Sequence, residues 1–175
     1  GLPLAQYDRM RPWFAAITLS ILPLEKIGYD PANGPEGILT RAAKAQKKQV
    51  MGLETFEGQM SIFDKLSQKG QIELLSSTID ELPKARENMD KMVADWASGR
   101  PEALAAEMNA SLKDTPEVAE TLLLNRNKQW AGWIAERMKT PGTVFIAVGA
   151  GHLAGKGSVQ DQLLRYKLKA VRIKY

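Results

Sequence analysis

The fold expected from this sequence depends most on residues 143–152, which read TVFIAVGAGH. The first part, through Val148, is short, rich in β-branched residues and apolar on both faces, which is typical of a buried parallel strand. A glycine-rich segment follows up to Gly157, and Ser158 is placed to cap a last helix that runs to about Tyr166. The sequence therefore predicts a strand, a glycine loop and a helix in succession.

Two other segments predict strands. Residues 49–53 are short and apolar, and polar residues stop the run, so a buried strand is expected to end near Glu54. At the end of the chain Val171, Ile173 and Tyr175 alternate with basic residues, which is typical of a half-exposed strand. Strands separated by helices indicate an α/β fold, rich in helix and with a small, mainly parallel sheet. So few strands for so much helix indicate an incomplete part of a larger domain.

Most of the remaining chain has the apolar spacing of helices. After Pro12, the side chains of Trp13, Ile17, Ile21 and Leu24 recur at helical intervals. Helices are expected over residues 2–24, 38–48 and 57–137, with a Pro- and Gly-rich loop at residues 29–37 and with interruptions at Gly70, Pro83 and residues 99–101. There is no internal repeat, and a single domain over residues 1–175 is predicted.

The composition excludes several classes of protein and site. With 44% apolar and 25% charged residues, the chain is typical of globular rather than disordered or fibrous proteins. It has no cysteine, which excludes disulfides, thiolate nucleophiles, cysteine-ligated zinc and iron–sulfur clusters. The net charge of +4 is spread along the chain, which favours an ordinary solvated surface over nucleic-acid binding. The longest uncharged apolar stretch, from Pro12 to Leu24, is shorter than the about 20 residues that span a bilayer.

The glycine loop first suggests phosphate binding, but its spacing argues against it. Gly151 and Gly155 enclose three residues where a Walker loop needs four, and Lys156 is followed by glycine instead of Ser or Thr. Gly149, Gly151 and Gly155 also miss the dinucleotide fingerprint by one position. Nucleotide binding is therefore disfavoured.

Two polar residues follow the apolar segments that predict strands. His152, the single histidine, comes just after the strand predicted at residues 143–148, where α/β sheets place their ligands. A structural role would explain a lone histidine equally well. Glu54 occupies the same kind of position after the other strand, although an acid at a helix N-terminus would explain it too.

Arg126 lies on the apolar face of a predicted helix. At 100° per residue it falls within the arc that Trp130 and Trp133 define, away from Lys128. A guanidinium keeps its proton, so on a buried face it needs an acid or an anionic ligand. The alternative is a side chain that extends along the apolar surface and keeps its charge in water.

Three motifs together resemble the TraB/GumN family, which is related to Tiki proteases and PrgY. They are MGLET at residues 51–55, LNRNKQW at residues 124–130 and VGAGHL at residues 148–153, in this order. The opening residues 2–13 and the GYDP at residues 28–31 also look like the bacterial GumN-type branch. The resemblance extends over essentially the whole chain.

The resemblance implies a metal-dependent, peptidase-type hydrolase of the bacterial envelope, periplasmic or envelope-associated. The family signature has two G-x-x-H motifs with an essential Glu and Arg, which here implies Glu54, Arg126 and His152 as catalytic residues and His152 and Glu54 as ligands of manganese, cobalt or zinc. Arg126 would hold a substrate carboxylate or an oxyanion of a peptide or protein substrate. The alternative is a non-enzymatic peptide- or pheromone-binding or shutdown module that uses the same cleft.

The same resemblance predicts that the site is incomplete. The first G-x-x-H motif has no counterpart here, the chain opens on Gly1 without a leader, and two protein ligands are fewer than the three that catalytic zinc usually keeps. This chain alone is therefore expected to be inactive. A sheet edge left bare by missing strands would drive self-association unless the chain's own helices cover it. The strand ends are expected to bring Glu54, Arg126 and His152 into one cleft.

Overall fold

A computed structural model describes residues 3–110, 112 and 115–173. Every regular element within these residues is helical, and no strand occurs among them. The prediction of an α/β fold is therefore wrong. The chain forms two compact units, Gly1–Met89 and Asp90–Tyr175, which are described separately below.

Unit 1 is built from helices that begin at recognisable caps. Its helices are α1 (Leu4–Tyr7), α2 (Pro12–Lys26), α3 (Pro35–Ala45), α4 (Phe56–Asp64) and α5 (Gln68–Glu81), with short 3-10 turns at Pro31–Asn33 and Leu82–Lys84. Thr55 accepts a hydrogen bond from the Gly58 N–H at 3.0 Å, and Ser67 accepts one from the Gly70 N–H at 3.0 Å. The predicted interruption at Gly70 is therefore wrong, because Gly70 lies in the capped first turn of α5.

The core of unit 1 forms where α2 packs against α5. Ala15 and Ala16 are the buried residues of α2, and Gly70 and Gln71 are those of α5. At the start of α2, the Trp13 indole stacks on Phe63 at 5.8 Å and donates from Nε1 to Asp64 at 3.2 Å. These contacts connect α2 to the end of α4.

The helix α6 (Ala85–Ala97) continues from unit 1 into unit 2. The other helices of unit 2 are α7 (Pro101–Ala110), α8 (Pro116–Ala119), α9 (Asn125–Arg137) and α10 (Val159–Leu163). A π-helical turn, Glu120–Leu124, joins α8 to α9, and 3-10 turns occupy Ala150–His152 and Leu164–Tyr166. The buried apolar residues of unit 2 include Leu104, Ala105, Val118, Trp130, Ala131, Val159 and Leu163.

Within the described residues, the helical predictions over residues 2–24, 38–48 and 57–137 are largely confirmed, with breaks near Pro83 and residues 99–101; Leu2, Ser111, Lys113 and Asp114 lie outside the described residues. Ser158 caps α10 as predicted, since its hydroxyl accepts from the Asp161 N–H at 3.3 Å. None of the helices that the structure describes is long and apolar enough to cross a membrane.

The three segments predicted as strands have no regular structure in the described residues. Phe145 and Ile173 are 78% and 80% exposed, and Val50 is also exposed. A strand requires a neighbouring strand to satisfy its backbone hydrogen bonds, and an apolar run alone cannot supply one. The sheet edge expected from these strands is therefore wrong as well. Lys174 and Tyr175 of the last predicted strand lie outside the described residues.

Candidate functional site

The predicted site residues belong to different units. Glu54 is in unit 1, half-buried, and directly precedes Thr55, the N-cap residue of α4. Arg126 and His152 are both in unit 2, on α9 and on the 3-10 turn Ala150–His152. The cleft that was expected to hold all three residues remains a prediction, and so do their catalytic and metal-binding roles.

His152 is buried, with 8% of its surface exposed, and its ring is held by a hydrogen-bonded side chain. Its Nδ1 lies 2.7 Å from Oδ1 of Asn127, and Nδ2 of Asn127 donates to the Gly157 carbonyl at 2.8 Å. Asn127 is itself 2% exposed. One amide side chain therefore connects α9 to two residues of the same loop, His152 and Gly157.

The indole of Trp130 contacts both His152 and Arg126. Its ring lies 4.6 Å from the His152 ring, centroid to centroid, with the planes tilted by 50°. Cζ of Arg126 lies 4.8 Å from the centroid of the same indole, which is cation–π geometry. The structure therefore brings Arg126 and His152 to one aromatic side chain.

The position of Arg126 confirms the helical projection. Its side chain lies against Trp130, and its NH1 donates to the carbonyl of Leu122 at 3.2 Å. Leu122 belongs to the π-helical turn Glu120–Leu124, and such turns widen a helix and frequently occur at functional sites. Arg126 is half-buried, so its charge is partly removed from water. One face of the guanidinium packs on the indole of Trp130.

Trp130 also carries a buried donor. Its Nε1 has no hydrogen-bond partner among the described residues, and the residue is only 5% exposed. A buried donor without an acceptor costs about 1–3 kcal/mol, so an acceptor supplied from outside the chain would be favourable here. The buried donor therefore belongs to the same side chain that contacts Arg126 and His152.

Gly157 shapes the loop beside His152. Its φ of +80° lies in the left-handed region, and a Cβ built there would lie 2.4 Å from Cδ2 of Leu124. Its N–H donates to Oδ2 of Asp161 at 2.8 Å. The Gly157 carbonyl accepts the hydrogen bond from Asn127. Its position therefore depends on the backbone conformation of Gly157 and on the hydrogen bond to Asp161 at the start of α10.

Sequence reasoning missed Asn127 as a functional candidate. Two signals could have identified it, since it follows Arg126 directly and precedes Ile134 by seven residues, which places it at the edge of the apolar face. A buried amide on that face needs hydrogen-bond partners. Its partners, Gly157 and His152, are far along the chain, so the sequence did not identify them.

The donor set fits a metal ion only in part. His152 offers an imidazole supported by a hydrogen-bonded amide, which is the usual arrangement around a metal-binding histidine. No group of three or more His, Asp and Glu side chains is close enough to hold a metal among the described residues. The metal-ligand roles of His152 and Glu54 therefore stay predictions.

The comparisons with known proteins agree with the three motifs. The model of the TraB/PrgY/gumN family matches residues 1–170. The chain belongs to this family. Its resemblance to TraB/GumN proteins is thereby confirmed, and the residues that form the cluster around Trp130 all lie within the matched range.

Two curated proteins are similar to this chain. They are proteins of Escherichia coli strain K12 and of Shigella flexneri, both named "Uncharacterized protein YbaP", and each is 30% identical to it over 167 residues. The match covers 93% of this chain, and the chain spans 60% of the length of each relative. No solved structure matches the chain significantly.

Proposed function

We propose that this TraB/PrgY/gumN chain belongs to a peptidase-type hydrolase of the bacterial envelope that depends on a divalent metal. The observation that supports the proposal most strongly is the cluster in which Trp130 contacts both Arg126 and His152. It combines a permanent cation, an imidazole and a buried N–H donor in one place. Family membership supplies the reaction class by analogy.

Arg126 is the group that binds negative charge in this proposal. Its guanidinium is held over the indole of Trp130, so it is oriented before a substrate arrives. A carboxylate of a peptide substrate, or the oxyanion that develops during cleavage, would pair with it. The partly buried position strengthens this pairing because it reduces the screening by water.

The ligand role of Glu54, in unit 1, stays a prediction of the family resemblance, and His152 in unit 2 is the metal ligand of this proposal. Manganese, cobalt or zinc bound there would polarise the scissile carbonyl and lower the pKa of a bound water. His152 is already oriented by Asn127, which limits the reorganisation needed on binding. Further ligands are required, since the described residues contain no complete cluster.

The second candidate function is a peptide- or pheromone-binding or shutdown module without catalysis. The absence of a three-ligand metal cluster among the described residues favours it. The same guanidinium and indole donor would then capture a peptide carboxylate or carbonyl without cleaving it. Both functions predict peptide binding, and only the hydrolase predicts metal-dependent products.

The test is metal-dependent cleavage of a peptide library. The protein isolated from its own cells would be incubated with the library, with and without chelator, and then with added manganese, cobalt or zinc, and the products read by mass spectrometry. Cleavage that stops with chelator and with His152→Ala, while Arg165→Ala retains it, supports the hydrolase. Peptide binding without any cleavage under all metals overturns it and supports the binding module. Osmotic-shock fractionation tests the proposed periplasmic location.

A further inference from the structure

We infer that Asn127 is a positioning residue that holds His152 in the tautomer with its proton on Nδ1, so that Nε2 is the basic nitrogen. The inference starts from two distances, 2.7 Å from Asn127 Oδ1 to His152 Nδ1 and 2.8 Å from Asn127 Nδ2 to the Gly157 carbonyl oxygen. It concerns the proton on the ring and holds with or without a bound metal. Only its consequence for metal affinity rests on the proposed function.

The Gly157 carbonyl determines which way the Asn127 amide points. A carbonyl oxygen can only accept, so the group facing it has to be the NH2 end of the amide. A flipped amide would place two oxygen acceptors against each other and lose the bond to Gly157. The Gly157 backbone is itself held by a hydrogen bond, because its N–H donates to Oδ2 of Asp161 at 2.8 Å.

The orientation of the amide then determines the proton on His152. With Nδ2 engaged at Gly157, Oδ1 faces the imidazole, and an oxygen without a proton requires a donor. Nδ1 of His152 therefore carries hydrogen, and in the neutral ring the lone pair is on Nε2. Because Asn127 is 2% exposed, water does not compete readily for this contact.

The arrangement has a chemical consequence. A neutral imidazole in water prefers the proton on Nε2, so Asn127 reverses the ordinary preference at His152. A ring in this tautomer, packed against Trp130 at 4.6 Å, has its basic lone pair on Nε2, which is the nitrogen that a metal ion or a proton would have to bind. Asn127 touches neither the substrate nor the metal in this scheme and acts through His152.

Nitrogen NMR tests the inference directly, because His152 is the single histidine of the chain. In protein labelled with 15N-histidine, at a pH where the ring is neutral, the wild type should show Nδ1 as the protonated nitrogen and Nε2 as the unprotonated one. Asn127→Leu should shift the ring toward the Nε2–H form, whereas Asn127→Asp, which loses the bond to the Gly157 carbonyl but keeps an oxygen acceptor for the ring, should retain Nδ1–H. The control Asn125→Leu changes an exposed neighbour and should leave the spectrum unchanged.

Two results would overturn the inference. The first is a wild-type spectrum with the proton on Nε2, which needs no variant and so does not depend on any variant folding. The second is an unchanged Nδ1–H signal in a folded Asn127→Leu protein, with folding checked by circular dichroism.

Cobalt titration followed by visible absorption then tests the link to the proposed function. Asn127→Leu should bind Co²⁺ about 10- to 100-fold more weakly than wild type, and Asn127→Asp should stay close to wild type. No cobalt binding by any of these proteins would count against the proposed metal site. The nitrogen spectrum alone decides the role of Asn127.

Discussion

Replacing Gly157 by alanine tests how tightly the loop beside His152 is built. The loop offers a matched control, since Gly155 and Gly157 both have a φ of +80°. A Cβ on Gly155 meets nothing within 4 Å, whereas a Cβ on Gly157 would lie 2.4 Å from Cδ2 of Leu124. The two alanine variants therefore share the backbone strain and differ in the clash.

The backbone strain and the clash with Leu124 determine how much free energy of unfolding each variant should lose. Left-handed backbone costs a residue with a Cβ about 1–2 kcal/mol, which should be the whole loss for Gly155→Ala. Gly157→Ala adds the displacement of Leu124, and moving a side chain off its rotamer costs about 0.5–1.5 kcal/mol. At about 2–4 °C per kcal/mol for a protein of this size, the second variant should melt about 1–6 °C below the first.

Thermal melts followed by circular dichroism measure the difference, with urea unfolding as a second method. Leu124→Ala in the Gly157→Ala background should recover the part of the loss that comes from the clash, after correction for Leu124→Ala alone. Equal melting temperatures for the Gly155 and Gly157 variants would refute the close approach of Leu124. No recovery in the double variant would assign the extra loss to another cause.

Three further perturbations test the surrounding contacts by urea unfolding. Trp130→Ala should lower the free energy of unfolding by about 3–5 kcal/mol, because a buried aromatic ring is lost. Trp96 is mostly exposed, so Trp96→Ala should change it by no more than about 0.5 kcal/mol. Comparable losses in the two variants would contradict the packing of Trp130. Arg126→Ala should lose about 0.5–2 kcal/mol with its cation–π contact, while the exposed Arg165→Ala should be nearly neutral. Ser158→Ala should cost about 1 kcal/mol and Ser158→Asp should restore it, because an oxygen acceptor again caps α10; a neutral alanine variant would argue against the cap.

Local patterns predicted much of the helical structure correctly. The apolar spacing from Trp13 to Leu24 predicted the core of α2, and Ser158 predicted the start of α10. Helix periodicity also placed Arg126 on the face of Trp130, where the structure has it. These features depend on residues within a few helical turns of one another, so the local sequence is enough to predict them.

The strands could not be predicted in this way. Residues 143–148 have the composition of a buried strand, yet Phe145 is 78% exposed and the segment has no regular structure. Composition reports a preference for a pleated, half-buried surface, and only a paired neighbour turns that preference into a strand. Nothing in the segment itself specifies whether such a neighbour is available.

The candidate site also has features that the local sequence predicted and features that it could not predict. Local sequence was enough to show that Arg126 shares a helical face with Trp130, that His152 lies in a glycine-rich segment, and that a chain without cysteine and with one histidine cannot build a cysteine-ligated or multi-histidine metal site by itself. The link that Asn127 makes between His152 and Gly157 became visible only in the folded chain, because those hydrogen bonds connect residues 25 and 30 positions apart. Contacts at that separation depend on how the helices pack, and packing is a property of the whole folded unit.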